Sequence, residues 1–255
     1  MTAEQKTVLA RFLDTAGACL GDGYLGDGHV QADYGQAGHG QEGGEYALAP
    51  PVSGPPGDTL EGIAADIRAC RACPLGASRT NAVPGEGAED PLVLVIGEGP
   101  GQDEDRTGRP FVGRAGQLLD KMLAAIGLRR EENCFIANVV KCRPPGNRDP
   151  EPAEALCCKP FLRRQIACLR PRMIFCVGKV AANLLLENAE RVAIGSLRGR
   201  FFEYPVKNPG VLEAPEAPAE APIPLLATYH PSALLRNEDL KRPAWEDLKL
   251  LRSKL

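Results

Sequence analysis

One apolar run organises the chain: Pro91-Leu92-Val93-Leu94-Val95-Ile96-Gly97 leads directly into the glycine-rich segment Glu98-Gly99-Pro100-Gly101. A short run in which every residue is apolar is typical of a strand buried on both faces of a parallel sheet. Residues 134–140 and 173–178 have the same character, and a last strand is predicted at residues 225–229. Four strands of this kind predict a buried sheet at the centre of the fold.

Helical patterns precede, separate and follow these strands. The predicted helices cover about residues 58–69, 116–128, 151–169, 179–188 and 242–255. Asp58 and Glu61 have the spacing of a capping box that would open the first helix. Because strands alternate with helices, the pattern predicts an α/β fold with a largely parallel central sheet. Ligands of such sheets bind beyond the carboxyl ends of the strands, where Glu98, Asn138 and His230 are expected.

Residues 1–57 differ in composition from the rest of the chain. They contain 12 of the 28 glycines, end in a proline-rich stretch, and carry a net charge of −5, whereas residues 58–255 carry +2. Such a segment cannot bury enough apolar surface to offset its ordering entropy, so we predict a largely disordered extension with a possible short helix at residues 4–20. Residues 211–222, rich in Pro, Ala and Glu, are predicted to form a surface loop insertion.

Several classes of protein are not expected from the composition. No run reaches the roughly 18 apolar residues of a membrane span, and the first residues lack the pattern of a secretory signal. Nine cysteines spread through 255 residues argue against a disulfide scaffold. We therefore predict a cytoplasmic protein with free or metal-bound thiols. Apart from the insertion, the body is mildly basic, which permits a nucleic-acid partner.

The glycine-rich segment does not match the common nucleotide-binding loops. Gln102 stands where a dinucleotide fingerprint would need glycine, and the chain has no Walker A Gly-Lys-Ser/Thr sequence. What remains is a tight loop that presents Glu98 and is followed by Glu104 and by residues 108–113. By itself this pattern is equally compatible with an active site and with a tight turn.

The cysteines give a second signal. Cys70 and Cys73 are separated by two residues, and Cys142 and Cys158 flank a segment that contains Pro144-Pro145-Gly146. Four thiolates from separate segments can hold a structural zinc ion or a [4Fe–4S] cluster, and spacing does not decide between the two. Cys157 competes with Cys158 for the fourth position.

Five segments, taken together, resemble the family 4 uracil-DNA glycosylases, the iron–sulfur class. They are Cys70-x-x-Cys73 and residues 97–105, 108–116, 138–148 and 230–237, and they follow the family's order from about residue 60 to residue 255. The resemblance implies that residues 58–255 form a catalytic domain with a three-layer α/β/α fold around a four-stranded parallel sheet. It also implies a [4Fe–4S] cluster. Residues 158–162 match the family's string at its fourth ligand, which assigns the cluster to Cys70, Cys73, Cys142 and Cys158.

The resemblance further implies roles for individual side chains. Phe111 would stack on a flipped uracil, and Asn138 would bind its O4/N3 edge. Gly99 stands where some other uracil glycosylases have a bulky residue against C5. For catalysis, His230 would stabilise the departing base anion and Glu98 would position or deprotonate water, with Glu104 in support. We count no catalytic lysine in the motifs and therefore predict a monofunctional enzyme that leaves an abasic site.

Contact with DNA is expected from residues 230–237. Leu234 or Leu235 would wedge into the gap left by the flipped base, and Ser232 and Arg236 would lie near phosphates. An equally weighted alternative makes both leucines core residues of a short helix. The expected partner is uracil-containing DNA, duplex or single-stranded. A protein partner is possible for the N-terminal extension, and one compact site favours a monomer.

Three other functions remain open from the sequence. One is a non-catalytic iron–sulfur or zinc DNA-binding module, and another is a polymerase-associated relative of the same fold. The third is the related class that crosslinks to uracil DNA through a loop histidine, but residues 196–202 contain no histidine. The placement of Glu98, Asn138 and His230 at predicted strand ends disfavours the non-catalytic module, whereas the polymerase-associated relative stays open.

Overall fold

The computed structural model describes residues 58–188, 191–205 and 221–255. The predicted N-terminal extension with its helix at residues 4–20 lies outside the described residues. So does most of the predicted insertion, of which only Ala221 and Pro222 are described. No helix in the described part of the chain is long and apolar enough to cross a membrane.

Within these residues, one sheet of six strands forms the centre of the fold. The strands are β1 (Glu86–Gly87), β2 (Val93–Gly97), β3 (Cys134–Asn138), β4 (Met173–Val177), β5 (Phe201–Tyr204) and β6 (Ile223–Thr228). Their order is β1-β3-β2-β4-β6-β5. The four predicted strands are the four central ones, and they run parallel to one another. The predicted α/β fold with a parallel core is therefore confirmed.

The two edge strands were not predicted, so the expected number of four strands is too low. Both β1 and β5 pair antiparallel with their neighbours, which makes the complete sheet mixed. The strand β1 has only two residues, and no residue of β5 is fully buried. Short or half-exposed edge strands lack the continuous apolar run by which a buried strand is detected.

Helices cover both faces of the sheet. They are α1 (Leu60–Ala69), α2 (Leu75–Ser78), α3 (Gln102–Thr107), α4 (Arg114–Ala124), α5 (Pro152–Leu169), α6 (Lys179–Leu185), α7 (Ile194–Leu197), α8 (Pro231–Arg236) and α9 (Lys241–Arg252). All five predicted helices are present with slightly different ends. The predicted capping box is wrong, because Thr59 caps α1 by accepting from the Gly62 N–H, whereas Asp58 binds Arg164.

The residues of β2 alternate between the two layers of the core. Leu94 and Ile96 pack with residues of α5, α6 and α7 on one face of the sheet. Val93 and Val95 pack with residues of α4, α8 and α9 on the other. This arrangement confirms the three-layer α/β/α architecture, and it explains why every residue of β2, β3 and β4 is buried.

Strand register brings the predicted site residues to one edge of the sheet. Gly97, the last residue of β2, pairs with Asn138, the last residue of β3. Val177 at the end of β4 pairs with Thr228 at the end of β6, two residues before His230. Because these strands are parallel, the segments that follow them emerge on the same side of the molecule.

Candidate active site

Asn138 presents a buried oxygen without a partner. Asn138 is 1% exposed. Among the described residues, its Oδ1 is the one buried side-chain oxygen or nitrogen atom without a hydrogen-bond partner. Opposite it lies Gly97, where an added Cβ atom would stand 2.5 Å from Asn138 Oδ1 and 2.5 Å from Phe111 Cζ. Buried acceptors are nearly always satisfied, so this oxygen indicates a ligand that donates a hydrogen bond.

Phe111 lies beside Asn138 with an unusual backbone. Its φ of 52° falls in the left-handed region, which costs a bulky residue about 1–3 kcal/mol. The ring is nearly buried, and its centroid lies 5.7 Å from that of the His230 ring, with 34° between the planes. Position 116 accepts only glycine, since a Cβ there would lie 1.9 Å from the Phe111 carbonyl oxygen. The structure therefore brings Asn138, Phe111 and His230 together, as the sequence predicted.

Glu104 is fully engaged with backbone. One carboxylate oxygen accepts from the N–H groups of Val112 (2.8 Å) and Gly113 (2.9 Å), and the other accepts from Gly101 N–H (3.1 Å). These bonds fix the loop that carries Phe111. Glu104 therefore positions this loop, and its predicted support of catalysis stays a prediction.

Glu98 differs from Glu104 in having no hydrogen-bond partner for its carboxylate within the described part of the chain. It is half-buried in the loop after β2. Burial raises the pKa of this carboxyl, as does the negative charge of Asp149, while Lys179 and Arg191 oppose the shift. Lys179 lies 3.0 Å from Asp149. The sequence did not reveal these three charged neighbours, because nothing in their spacing links them to Glu98.

His230 caps the N-terminus of α8 in a way that fixes its tautomer. The backbone N–H of Ser232 donates to Nδ1 at 3.2 Å, and the Ser232 hydroxyl lies 2.8 Å from the same nitrogen. A nitrogen that accepts from an N–H carries no proton, so the neutral ring bears its proton on Nε2. Burial lowers the pKa of His230 to about 4, with a further contribution from Arg236. His230 is therefore a neutral hydrogen-bond donor at physiological pH.

The two leucines of α8 have different environments. Leu234 is 2% exposed and packs in the core with residues of α4 and α9, so its predicted contact with DNA is wrong. Leu235 is 41% exposed, and Arg236 is also exposed. Of the side chains predicted to contact DNA, Ser232 forms its hydrogen bond with the His230 ring. Leu235 and Arg236 are exposed at the surface.

Gly99 lies against the segment that follows β3. The Val140 N–H donates to the Glu98 carbonyl at 3.1 Å and joins the two strand-end loops. A Cβ atom at position 99 would stand 2.7 Å from Val140 Cγ2 and 3.8 Å from Pro144 Cδ. A bulky residue at this position would therefore collide with the neighbouring loop.

The predicted metal-binding cysteines surround one small cavity. It is lined by Cys70, Cys73, Cys142, Cys157 and Cys158, among other residues. Cys158 interacts electrostatically with Cys73 and Cys142. Among residues 58–188, 191–205 and 221–255, no three His, Cys, Asp or Glu side chains converge as they would around a single metal ion.

Two sulfur atoms of this cavity accept hydrogen bonds. Arg79 donates to Cys142 Sγ at 3.0 Å, and the Ala72 N–H donates to Cys70 Sγ at 3.4 Å. Burial raises the pKa of the Cys73 and Cys142 thiols and raises that of Cys158 to about 12. Thiolates in such surroundings are stabilised when a metal binds. The four cysteines predicted to hold an iron–sulfur cluster therefore line one cavity, and two of their sulfur atoms already accept hydrogen bonds.

Lys141 is a lysine inside the motif of residues 138–148, which the prediction of a monofunctional enzyme did not take into account. It is 1% exposed, and its Nζ donates to the Asn138 carbonyl (2.9 Å) and to Gln165 Oε1 (2.7 Å). Lys141 also lines the cysteine cavity. It therefore connects the backbone of Asn138 with the cysteine cavity and is not exposed as a nucleophile.

Comparisons with known proteins agree with this geometry. Residues 84–249 match the sequence profile of the Uracil DNA glycosylase superfamily. The chain is 41% identical over 201 residues to the type-4 uracil-DNA glycosylase of Saccharolobus solfataricus. The aligned region covers 78% of this chain and 87% of the relative. The identity is also 41% to the type-4 enzymes of Archaeoglobus fulgidus (75% and 91% covered) and Thermotoga maritima (77% and 94%). The placement of the site residues at the strand ends and the cavity lined by cysteines are consistent with these matches. From the profile match and the identities, the chain belongs to the uracil-DNA glycosylase superfamily and, within it, to the type-4 family.

Proposed function

We propose that this chain is a DNA repair enzyme that flips uracil out of DNA and hydrolyses its N-glycosidic bond. The observation that carries the proposal is the unpaired Asn138 Oδ1, buried beside the Phe111 ring at the carboxyl edge of the sheet. A base inside a duplex cannot be reached, so the enzyme must extrude it into a pocket that stacks the ring and reads its edge.

Asn138 would select uracil through its hydrogen-bonding pattern. The N3–H of uracil donates to Oδ1, and the amide nitrogen donates to O4. Cytosine has an unprotonated N3 and an exocyclic amine, so both contacts would be mismatched. Leaving buried polar groups unpaired is costly, and a single amide can therefore discriminate strongly. Phe111 would provide the stacking surface for the pyrimidine ring.

His230 and Glu98 would act on the charges that develop during bond cleavage. The sugar becomes positive and the departing base negative. A neutral His230 donates from Nε2 to O2 of the base and stabilises the anion without transferring a proton. Glu98, with a free carboxylate, positions or deprotonates the attacking water and stabilises the cationic sugar. Glu104 contributes through the Phe111 loop.

The reaction would end at the abasic site. Lys141 is the one lysine in the five segments that resemble the family, and its Nζ is buried and donates to two protein oxygens. It is thereby prevented from attacking the sugar. Borohydride treatment during turnover should trap no covalent adduct with DNA, and a trapped adduct would contradict a monofunctional enzyme.

Cys70, Cys73, Cys142 and Cys158 would hold a [4Fe–4S] cluster. When bound, the cluster would crosslink the segments around α1, β3 and α5, and it would supply no electron to a hydrolytic reaction. Cys158→Ser should lose iron and the visible absorbance of the cluster, whereas Cys157→Ser should keep both. The opposite result would assign the fourth ligand to Cys157. A turnover rate that follows the redox state of the cluster, with the fold unchanged, would contradict a structural role.

Base release from a uracil-containing oligonucleotide tests the proposed function. Protein purified without oxygen is incubated with the DNA, and abasic sites are read as alkali-sensitive cleavage. Wild type should cleave, Glu98→Ala and His230→Ala should lose most activity, and the exposed control Glu89→Ala should not. No cleavage by protein that keeps its cluster and binds DNA would overturn the proposal in favour of a non-catalytic DNA-binding module.

A further inference from the structure

Arg130 contacts the backbone of the loop that carries Phe111. Arg130 lies between α4 and β3, 19 positions after Phe111 in the chain, and is 7% exposed. Its Nη1 donates to the Pro110 carbonyl and its Nη2 to the Phe111 carbonyl, each at 3.0 Å. A single guanidinium thus holds two consecutive carbonyl groups, one of which belongs to the residue with left-handed backbone.

The guanidinium is itself held by carboxylates from two other elements. Asp120 on α4 accepts from Nε (3.1 Å) and Nη2 (2.7 Å), and Glu86 on β1 accepts from Nη1 (2.7 Å). Glu86 is fixed in turn by Arg109, which donates at 2.8 and 3.0 Å. Because the planar fork is bonded on several sides, its orientation toward the loop is fixed.

The loop is held by opposite charges on its two sides. Glu104 accepts from the N–H groups of Val112 and Gly113, which follow Phe111, while Arg130 binds the carbonyls of Pro110 and Phe111. These bonds keep Phe111 in a backbone conformation that a bulky residue rarely adopts. They also determine where its ring stands relative to His230 and Asn138.

We infer that Arg130 is a positioning residue that holds the base-stacking ring of Phe111 in place, an inference that rests on the proposed function. Arg130 is buried, and its guanidinium is bonded to loop carbonyls and to carboxylates, so it acts through Phe111. Lysine at this position would keep one positive charge but would lose the fork that binds both carbonyls and both carboxylates.

A double-mutant cycle tests this inference. Single-turnover uracil release is measured for wild type, Arg130→Lys, Phe111→Ala and the double variant. Arg130→Lys should reduce the rate about tenfold in the wild-type background and less than twofold when Phe111 is already alanine, since a residue that acts through Phe111 has nothing left to position. Arg129→Lys is the matched control, because Arg129 is exposed and pairs with Glu132; its rate should equal that of wild type. Equal losses in both backgrounds, or no loss in either, would overturn the inference.

A second readout does not depend on activity. Hydrogen exchange of the Val112 and Gly113 amides should become faster in Arg130→Lys but not in Arg129→Lys, and unchanged exchange would contradict the clamp. If Arg130→Lys fails to fold, Glu86→Gln replaces it, because Glu86 accepts from the same Nη1 that donates to the Pro110 carbonyl. Glu86→Gln should then show a smaller loss of rate with the same dependence on Phe111. If the loss is the same with and without Phe111, or if there is no loss, the inference is overturned. Failure of the proposed function is distinguished by wild type, which in that case releases no uracil while the exchange result still stands.

Discussion

The two walls of the proposed uracil pocket are built in different ways. Asn138 is the last residue of a buried parallel strand, and its place is set by the register of β3 against β2 and by the bond from Lys141 to its carbonyl. Phe111 lies in a loop with left-handed backbone and is held by charged groups, Glu104 and Arg130. The first wall needs no stabilising contact from its functional side chain, whereas the second depends on two charged side chains that bind the backbone of the loop.

The largest effect is expected at the strand wall, the side of the pocket that Asn138 forms. Asn138→Leu should reduce uracil release by about 100-fold or more, because two hydrogen bonds to the base are lost. The free energy of unfolding should stay within about 1 kcal/mol of wild type or rise, since an unpaired buried oxygen is replaced by an apolar group of similar shape. Thermal or denaturant unfolding measured beside the single-turnover rate checks this, and a marked loss of stability would show that Asn138 has a structural partner.

At the loop wall, the side of the pocket that Phe111 forms, a substitution should lower the free energy of unfolding. Glu104→Gln removes a charge that accepts from three N–H groups, so we expect about tenfold slower uracil release and a loss of about 1–3 kcal/mol in the free energy of unfolding. Asp103→Asn, an exposed neighbour on α3, serves as the control. Slower release with no loss of stability would instead give Glu104 a direct part in the chemistry.

A smaller effect concerns Glu98, the carboxylate in the loop after β2 that has no hydrogen-bond partner within the described residues. Its ionised form is the active one and its pKa is raised, so activity should fall as the pH decreases through that raised pKa. Asp149→Asn removes a negative neighbour and should move this acid limb to lower pH, whereas Lys179→Met should move it to higher pH. Each shift should be below about one pH unit, because the groups are partly exposed to solvent. His230, with a pKa of about 4, should not contribute to the limb above pH 5.

The smallest effect is expected at the rim of the pocket. Leu235→Ala should slow release from duplex a few-fold and from single strands less than twofold, if Leu235 occupies the gap left by the flipped base. Leu234→Ala should instead destabilise the fold by about 2–5 kcal/mol, as expected for a buried leucine. Trp245→Ala, at an exposed apolar residue of α9, is the control. Equal losses on both substrates for Leu235→Ala would contradict the wedge.

The strand wall could be predicted from the sequence and most of the loop wall could not. Continuous apolar runs reveal buried strands, and the parallel arrangement then places Asn138 and His230 at one edge. The hydrogen bonds of Arg130 to the Phe111 loop join residues about 20 positions apart, and a single sequence carries no periodic signal for such contacts. Adjacent positions such as Leu234 and Leu235 differ only in the direction they face on a short helix. For that reason the sequence left both as equal candidates.

The most direct test of the central claim compares two bases in the same DNA. Single-turnover base release is measured on oligonucleotides that differ only in carrying uracil or cytosine at one position. We predict release of uracil and none of cytosine, because the acceptor Asn138 Oδ1 pairs with the N3–H that only uracil has. Comparable release of both bases, or of neither by folded protein that binds the DNA, would contradict the account.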